Sequence, residues 1–292
     1  MPREDTPFRR ILADFLANPT AVFGLALLAA ILVVAIAAPL ISPQNPYDLA
    51  QLDVMDGRLP PGAKTDGGTF WLGTDDQGRD MLSAIFYGLR ISLTVGVVST
   101  VAALGLGLAL GLAAAYFGGR TETVIMRIAD VQLSFPAILI ALILLAVLGQ
   151  GMLKIIAALI TVQWAYYART VRSAALVEKR KEYIEAARCL ALSPLRIVFR
   201  HLLPNCLPPL IVVATVQVAA AIALEATLSF LGLGLPITEP SLGLLIANGY
   251  QYLLSGKYWI SFFPGVALLI TIVSINLVAD QLRDVLNPRL QR

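Results

Sequence analysis

The chain has 292 residues, of which 58% are hydrophobic and only 14% are charged, and its formal net charge is +3. Soluble globular domains average about 45–50% apolar and about 25% charged residues, so this composition excludes an ordinary water-soluble enzyme. Two cysteines are too few for a disulfide-rich secreted scaffold, and the small net charge does not indicate a nucleic-acid partner.

Apolar stretches with few charges divide the chain into six predicted transmembrane helices. A helix needs about 20 mostly apolar residues to cross about 30 Å of hydrocarbon. One stretch carries a single acid, Glu225, and the fourth, of 14 residues, could also be a buried or re-entrant segment. The predicted spans are 20–41, 91–117, 131–149, 155–168, 207–235 and 259–279. We therefore predict an all-α polytopic membrane protein.

The distribution of Lys and Arg predicts that both termini are cytoplasmic. With the N-terminus inside, the inner segments hold 16 of the 22 basic residues, which satisfies the positive-inside rule. The first apolar stretch exceeds 20 residues, so we interpret it as an anchor, because a cleaved signal peptide has an apolar region of about 7–15 residues. The chain is thus predicted to begin with a cytoplasmic segment (1–19), the first span (20–41) and an external segment (42–89). A five-helix core (90–282), which includes an inner loop over 169–206, and a cytoplasmic tail (283–292) follow.

Motifs for catalysis, nucleotide binding and metal binding are missing from the sequence. A P-loop ends in Gly-Lys-Ser or Gly-Lys-Thr, but the Gly-Lys pair at 256–257 is followed by Tyr258. A zinc site is disfavoured, because the three candidate ligands Cys189, His201 and Cys206 include no two closely spaced cysteines and a fourth ligand is missing. We therefore predict no catalytic residue, no metal and no cofactor bound by this chain, so any ATP that drives it binds another subunit.

Two further patterns concern helix packing and the inner loop. Ala103, Gly107, Gly111 and Ala115 form a stripe of small residues, which predicts close contact with another helix. In the loop, Ser193-Pro194 is a favourable helix start. One helix should therefore end near Leu192 and a second should run from Pro194 to Pro204. Both are apolar on one face and charged on the other, which fits either a loop lying on anionic lipid or a docking surface for a cytoplasmic partner.

Several segments together resemble the second permease type of the dipeptide/oligopeptide/nickel family of ABC importers. Residues 183–188, Tyr-Ile-Glu-Ala-Ala-Arg, are similar to the EAA loop of ABC importer permeases. The other matching segments follow in the order of the family and cover nearly the whole chain, namely 72–80, 88–93, 130–136, 164–169, 201–205, 228–234 and 282–289.

The resemblance implies a type I ABC importer permease fold in a bacterial inner membrane, moving peptides or related small solutes. It implies three kinds of partner besides the lipid bilayer: a second homologous permease, two ATP-binding subunits that hold ATP and Mg²⁺, and an external substrate-binding protein. The residues that would couple this chain to the ATPases are Tyr183, Glu185, Ala186, Ala187, Arg188, Ala191, Leu192, Ser193, Pro194 and Arg196. The external family motif comprises Gly73, Thr74, Asp75, Gly78, Arg79 and Asp80.

The chain departs from the family at three positions. Ala191 stands where glycine is usual in the turn between the two loop helices, and alanine would cost stability there if the turn requires a positive φ. Gln150 and Asn287 replace the residues common at their positions, without a role that we can name. Glu185 is expected either to contact the ATPase or to brace the loop against Arg188, and the resemblance favours the contact.

The role of Glu225, with Ser229 and Phe230 beside it, is open between two hypotheses. The carboxylate either lines the translocation path and senses a substrate amine, or is hydrogen-bonded at the interface between the permeases, and burial with a partner is the usual fate of such groups.

The alternative function is a secondary transporter driven by an ion gradient. That function requires inward-facing carboxylates and broken helices near the midplane, often in repeated halves, whereas Glu225 is the only acid well inside a predicted span and the sequence shows no internal repeat. In the external segment, composition predicts a solvated loop over 45–68 and motif density predicts a structured element over 71–90.

Overall fold

A computed structural model describes residues 7–48, 52–65 and 68–286. The helices are α1 (Pro7–Leu16), α2 (Pro19–Ile41), α3 (Met81–Phe117), α4 (Gly119–Leu133), α5 (Ala137–Leu148), α6 (Met152–Glu178), α7 (Glu182–Cys189), α8 (Pro194–Ile197), α9 (Leu203–Phe230), α10 (Leu242–Tyr250) and α11 (Trp259–Leu286). Short 3₁₀ turns cover Val54–Asp56 and Leu253–Ser255. An antiparallel hairpin of β1 (Ala63–Thr65) and β2 (Gly68–Phe70) adds a strand pair to the predicted all-α fold.

Within the described residues, four helical segments are long and apolar enough to cross a membrane. They are α2, α3, the continuous helical segment from Pro194 to Phe230, and α11, and the bent pair of α4 and α5 makes a fifth if it counts as one span. The remaining predicted span, 155–168, lies within α6, which has 27 residues. These segments are compatible with six crossings of the membrane, since about 20 residues suffice for each.

The predicted span over 131–149 is not one continuous helix. The axes of α4 and α5 meet at an angle of 91°, and the chain breaks at the Ser134-Phe135-Pro136 motif. Proline lacks an N–H and disfavours the helical conformation of the residue before it, so the helix cannot pass Phe135 unchanged. The 12 residues of α5 are too few to cross about 30 Å alone, so α4 and α5 together form either a broken span or a re-entrant loop.

The prediction that the second loop helix ends at Pro204 is wrong. The helical segment continues from α8 through a π-helical turn, Val198–Leu202, into α9. In this turn the N–H of Leu203 donates to the carbonyl of Val198, five residues earlier. Pro204 therefore falls where the hydrogen-bond register changes, and its missing N–H does not interrupt a regular α-helical ladder. Consequently the inner loop is joined to a membrane span without a flexible break.

Other helix boundaries differ from the sequence prediction at their polar ends. Helix α3 begins ten residues before the predicted span because Asp80 caps it, accepting from the backbone N–H of Ser83 at 2.8 Å. Helix α11 runs to Leu286, beyond the predicted end at 279. Helix α9 ends at Phe230, before the glycines that follow it.

The stripe of small residues on α3 packs against α6, as predicted. A Cβ atom added to Gly107 would lie 2.5 Å from the Cβ of Tyr167, and one added to Gly111 would lie 2.6 Å from the carbonyl oxygen of Ala168. Ala103 and Ala115 are buried in the same contact. The two helices therefore approach to a distance that only glycine permits at these points.

Candidate coupling surface and buried polar sites

The predicted helix–turn–helix of the inner loop is present. Helix α7 ends at Cys189 and α8 begins at Pro194, after Ser193. Ile184 and Ala187 on α7 pack against Ile197 and Leu202 of the following helical segment, forming a small apolar core beneath the loop. The outward face carries most of the predicted coupling residues, namely Tyr183, Glu185, Ala186, Arg188, Ala191, Ser193, Pro194 and Arg196, whereas Ala187 is buried and Leu192 is half-buried. We call the exposed set the coupling surface.

The turn between α7 and α8 does require a left-handed residue. Ala191 has a φ of 50°, a conformation that costs alanine more than glycine because of its Cβ. The turn still closes, since the N–H of Leu192 donates to the carbonyl oxygen of Ala187 at 3.2 Å. The substitution of the usual glycine therefore leaves the turn geometry in place at an energetic cost.

Tyr183 ties α7 to the helices on either side of it. Its hydroxyl donates to the carboxylate of Glu178, at the end of α6, at 2.6 Å. The same hydroxyl accepts from Nδ2 of Asn205 on α9 at 3.1 Å, and that amide also donates to the carbonyl of His201 at 2.7 Å. Burial, and then the hydrogen bond to Glu178, raise the pKa of Tyr183 to about 12. The hydroxyl thus stays protonated at neutral pH and acts as a donor.

A lysine joins this loop to a third membrane helix. Lys179, just after α6, donates through Nζ to the carbonyl oxygens of Ala115 and Tyr116 at 2.8 and 2.9 Å, and lies 5.7 Å from the centre of the Tyr116 ring. These carbonyls belong to the last turn of α3, where cations are favourable. The coupling surface is therefore attached to α3, α6 and α9 together.

Two charged residues just before α7 form an ion pair. Lys181 pairs with Glu178 at 2.6 Å. Glu185 and Arg188 are both exposed and form no ion pair with each other in the part of the chain that the structure describes. Glu185 consequently points outward without bracing the loop.

The external motif forms a buried lock on the opposite side of the molecule. Nε of Arg79 donates to the carboxylate of Asp75 at 2.8 Å, and the two side chains are 1% and 0% exposed. Nη1 of Arg79 reaches the carbonyl of Ile237, in the connection between α9 and α10, at 3.3 Å. The pair therefore fixes the external segment to a distant part of the chain.

The other motif residues complete this lock. Thr74 donates to the carbonyl of Asp56 at 2.6 Å, and its own carbonyl accepts from Nε1 of Trp259 at 3.2 Å. Gly73 and Gly78 both have positive φ and lie against other backbone segments. The prediction of a structured element over 71–90 is confirmed, while 45–68 contains the short hairpin strand β1 and a 3₁₀ turn in addition to loop.

Glu225 is enclosed within this chain. Its carboxylate accepts from the hydroxyls of Ser92 at 2.9 Å and Ser229 at 2.8 Å, and the side chain is 0% exposed. These bonds join α9 to α3. Phe230, by contrast, lies on the surface with its ring centre 5.9 Å from that of Tyr250. The Glu225 carboxylate is therefore hydrogen-bonded in the interior of this chain.

Several contacts escaped the sequence analysis, although the matching segments contain their residues. Asp130 forms an ion pair with Arg169, and Trp164 donates to Gln132 at 2.6 Å, so two separate family segments meet between α4 and α6. Gln150 donates to the carbonyl of Gly232 at 2.7 Å. Asn287, Pro288 and Arg289 lie outside the described residues, whereas the first part of that segment, 282–284, belongs to α11. Among the described residues, no group of three His, Cys, Asp or Glu side chains is placed to hold a metal ion.

Comparisons with known proteins identify relatives over nearly the whole chain. Residues 105–292 match the family described as binding-protein-dependent transport system inner membrane component, and residues 6–61 match the N-terminal TM domain of oligopeptide transport permease C. A putative peptide transport system permease protein of Brucella suis is 41% identical, covering 92% of this chain and 87% of that protein. The di/tripeptide transport system permease protein DppC of Pseudomonas aeruginosa is 36% identical, covering 98% and 93%.

A solved structure resembles the fold. A chain of the MetNI methionine ABC transporter, in an inward-facing conformation, has a TM-score of 0.57 and 24% identity, covering 71% of this chain and 98% of that one. At this level of identity the likeness concerns the arrangement of the helices alone.

Proposed function

Because the chain belongs to the inner-membrane components of binding-protein-dependent transport systems, we propose that it is the permease subunit of an ATP-driven importer of peptides or related small solutes. The substrate class follows from relatives whose names describe peptide, dipeptide and oligopeptide transport. The chain itself does no chemistry in this proposal. ATP and Mg²⁺ act on two partner ATPases, and a second homologous permease and an external substrate-binding protein complete the transporter.

The observation that carries the proposal is the attachment of the coupling surface. An ATPase that closes on ATP must move membrane helices, which requires a stiff connection to them. Here Tyr183 joins α7 to α6 and α9, and Lys179, between α6 and α7, joins the same region to α3. The inner-loop position of this surface, with both termini cytoplasmic, would place it beside the ATPases.

The proposal is tested by purifying the tagged chain from gently solubilised membranes and identifying what accompanies it. Glu185 is exposed on the coupling surface, so Glu185→Arg should reduce the recovered ATPases roughly tenfold without unfolding the chain. Asp14→Arg is the matched control, since Asp14 is an exposed acid on α1. Ala187 is unsuitable because it is buried.

The importer is supported if the intact chain and Asp14→Arg both recover a second permease and two P-loop ATPases. In the same experiment Glu185→Arg should lose the ATPases. A chain that purifies alone and takes up solute in response to an ion gradient would instead support the alternative of a secondary transporter, and would contradict the proposal.

A further inference from the structure

A cavity of about 590 Å³ opens beside the external lock. It lies between the external segment, the first turns of α3, the start of α6 and the connection between α9 and α10. Small-molecule sites have volumes of about 300–1,000 Å³, so the cavity can hold a short peptide. Its charged and polar lining residues include Tyr47, Gln77, Arg79, Arg90, Thr94 and Glu239.

One wall of the cavity contains a buried cation with an unused donor. Arg79 donates through Nε to the carboxylate of Asp75 and through Nη1 to the carbonyl of Ile237. Its Nη2 is buried and has no hydrogen-bond partner among the described residues. A buried guanidinium N–H without a partner carries a free-energy penalty, which an anionic oxygen from a ligand would relieve.

Two further charges of opposite sign line the cavity without partners. The side chains of Arg90 and Glu239 form no hydrogen bond or ion pair in the part of the chain that the structure describes. Both line the same cavity as Tyr47. Burial and then the charge of Glu239 raise the pKa of Tyr47, while the charge of Arg90 lowers it. The cavity thus offers the Arg90 guanidinium, the Glu239 carboxylate and one unpartnered nitrogen, Nη2, of Arg79.

We propose that this cavity binds a zwitterionic solute on its way into the transporter, with the solute carboxylate on Arg90 and the free N–H of Arg79, and its ammonium group on Glu239. This inference rests on the proposed function, and it assigns to the permease an external site of its own for the two charged ends of a short peptide. An arginine is well suited to a carboxylate because its planar fork matches both oxygens.

The test measures binding to the purified full-length chain in nanodiscs by saturation-transfer NMR, with dialanine and trialanine as probes and N-acetyl-dialanine amide as their neutral analogue. The two free peptides should bind, and the neutral analogue should not compete. Arg90→Gln and Glu239→Gln should each weaken peptide binding about tenfold. Lys64→Gln, which removes an exposed external cation of β1 that does not line the cavity, should leave binding unchanged.

Three results would overturn the inference: no binding of either peptide to the intact chain, equal binding by Arg90→Gln and Lys64→Gln, or equal binding of the neutral analogue. Retention of a phospholipid on the intact chain, lost from both cavity variants in native mass spectrometry while the peptides do not bind, would assign the cavity to a lipid headgroup instead. Peptide uptake by the assembled transporter is measured in parallel. Peptide uptake without peptide binding in the cavity would contradict only this inference. The absence of uptake for every peptide would contradict the proposed function.

Discussion

Ala191 holds a backbone conformation that favours glycine, with a φ of 50°. The family usually has glycine at this point, and the sequence alone raised the question of whether the turn needs it. The turn between α7 and α8 does place this residue at a positive φ. The strained turn is kept because the apolar core of Ile184, Ala187 and Ile197 holds both helices in place. A residue-level cost is thus offset by packing in the neighbouring elements.

Replacing Ala191 by glycine should therefore stabilise the chain. We expect Ala191→Gly to raise the free energy of unfolding by about 1 kcal/mol, because it removes the Cβ from a left-handed position. Thermal unfolding of the detergent-solubilised chain measures the change. Ala186→Gly is the control, since Ala186 is exposed inside α7 and glycine in a helix costs about 0.5–1 kcal/mol. A fall in stability for both variants would contradict the strain at Ala191.

At the scale of the elements, the contact between α3 and α6 depends on glycines whose surroundings differ sharply. An added Cβ at Gly107 would lie 2.6 Å from the carbonyl oxygen of Trp164, whereas one at Gly105 would meet nothing within 4 Å. Backbone atoms cannot move aside as the end of a flexible side chain can. The two positions, on the same helix and two residues apart, therefore make a matched pair.

We expect Gly107→Ala to destabilise the chain by about 1–3 kcal/mol, since it forces the two helices apart. Gly105→Ala should be neutral or slightly stabilising, because alanine is the better helix former and has open space around it. Thermal unfolding and the yield of monodisperse chain after solubilisation report both effects. Equal behaviour of the two variants would show that the close contact between α3 and α6 does not limit stability.

The elements also show which parts of the fold hydropathy can predict. The cores of the membrane helices follow from long apolar runs, and the start of α8 follows from Ser193-Pro194, because these signals are local. The bend at Pro136 and the π-helical turn before Pro204 escaped the analysis, since proline marks a break without specifying whether a helix ends, bends or continues. The lock between Arg79 and Ile237 joins residues 158 positions apart, and no local pattern announces such a contact.

On the scale of the whole molecule, hydrogen bonds link the coupling surface to the external side. Tyr183 joins α7 to α9, and Glu225 on α9 joins that helix to α3 through Ser92. Asp80 of the external lock caps the start of α3. Trp259 on α11 contacts the same lock, because its Nε1 donates to the carbonyl of Thr74. We therefore expect motion of the inner loop to be transmitted through α9 and α3, which these hydrogen bonds join.

Tyr183→Phe tests this transmission while the charged residues of the coupling surface, Glu185, Arg188 and Arg196, stay in place. The variant keeps the aromatic ring but loses the bonds to Glu178 and Asn205, each worth about 0.5–1.5 kcal/mol or more when a charge takes part. We expect the ATPases to bind as before, while solute uptake per ATP hydrolysed in proteoliposomes falls several-fold, because α7 can shift relative to α6 and α9. Tyr250→Phe is the control, since that tyrosine is 63% exposed on α10, away from the loop. If uptake per ATP stays unchanged in Tyr183→Phe, the apolar core under the loop alone carries the motion and the tyrosine joint is dispensable.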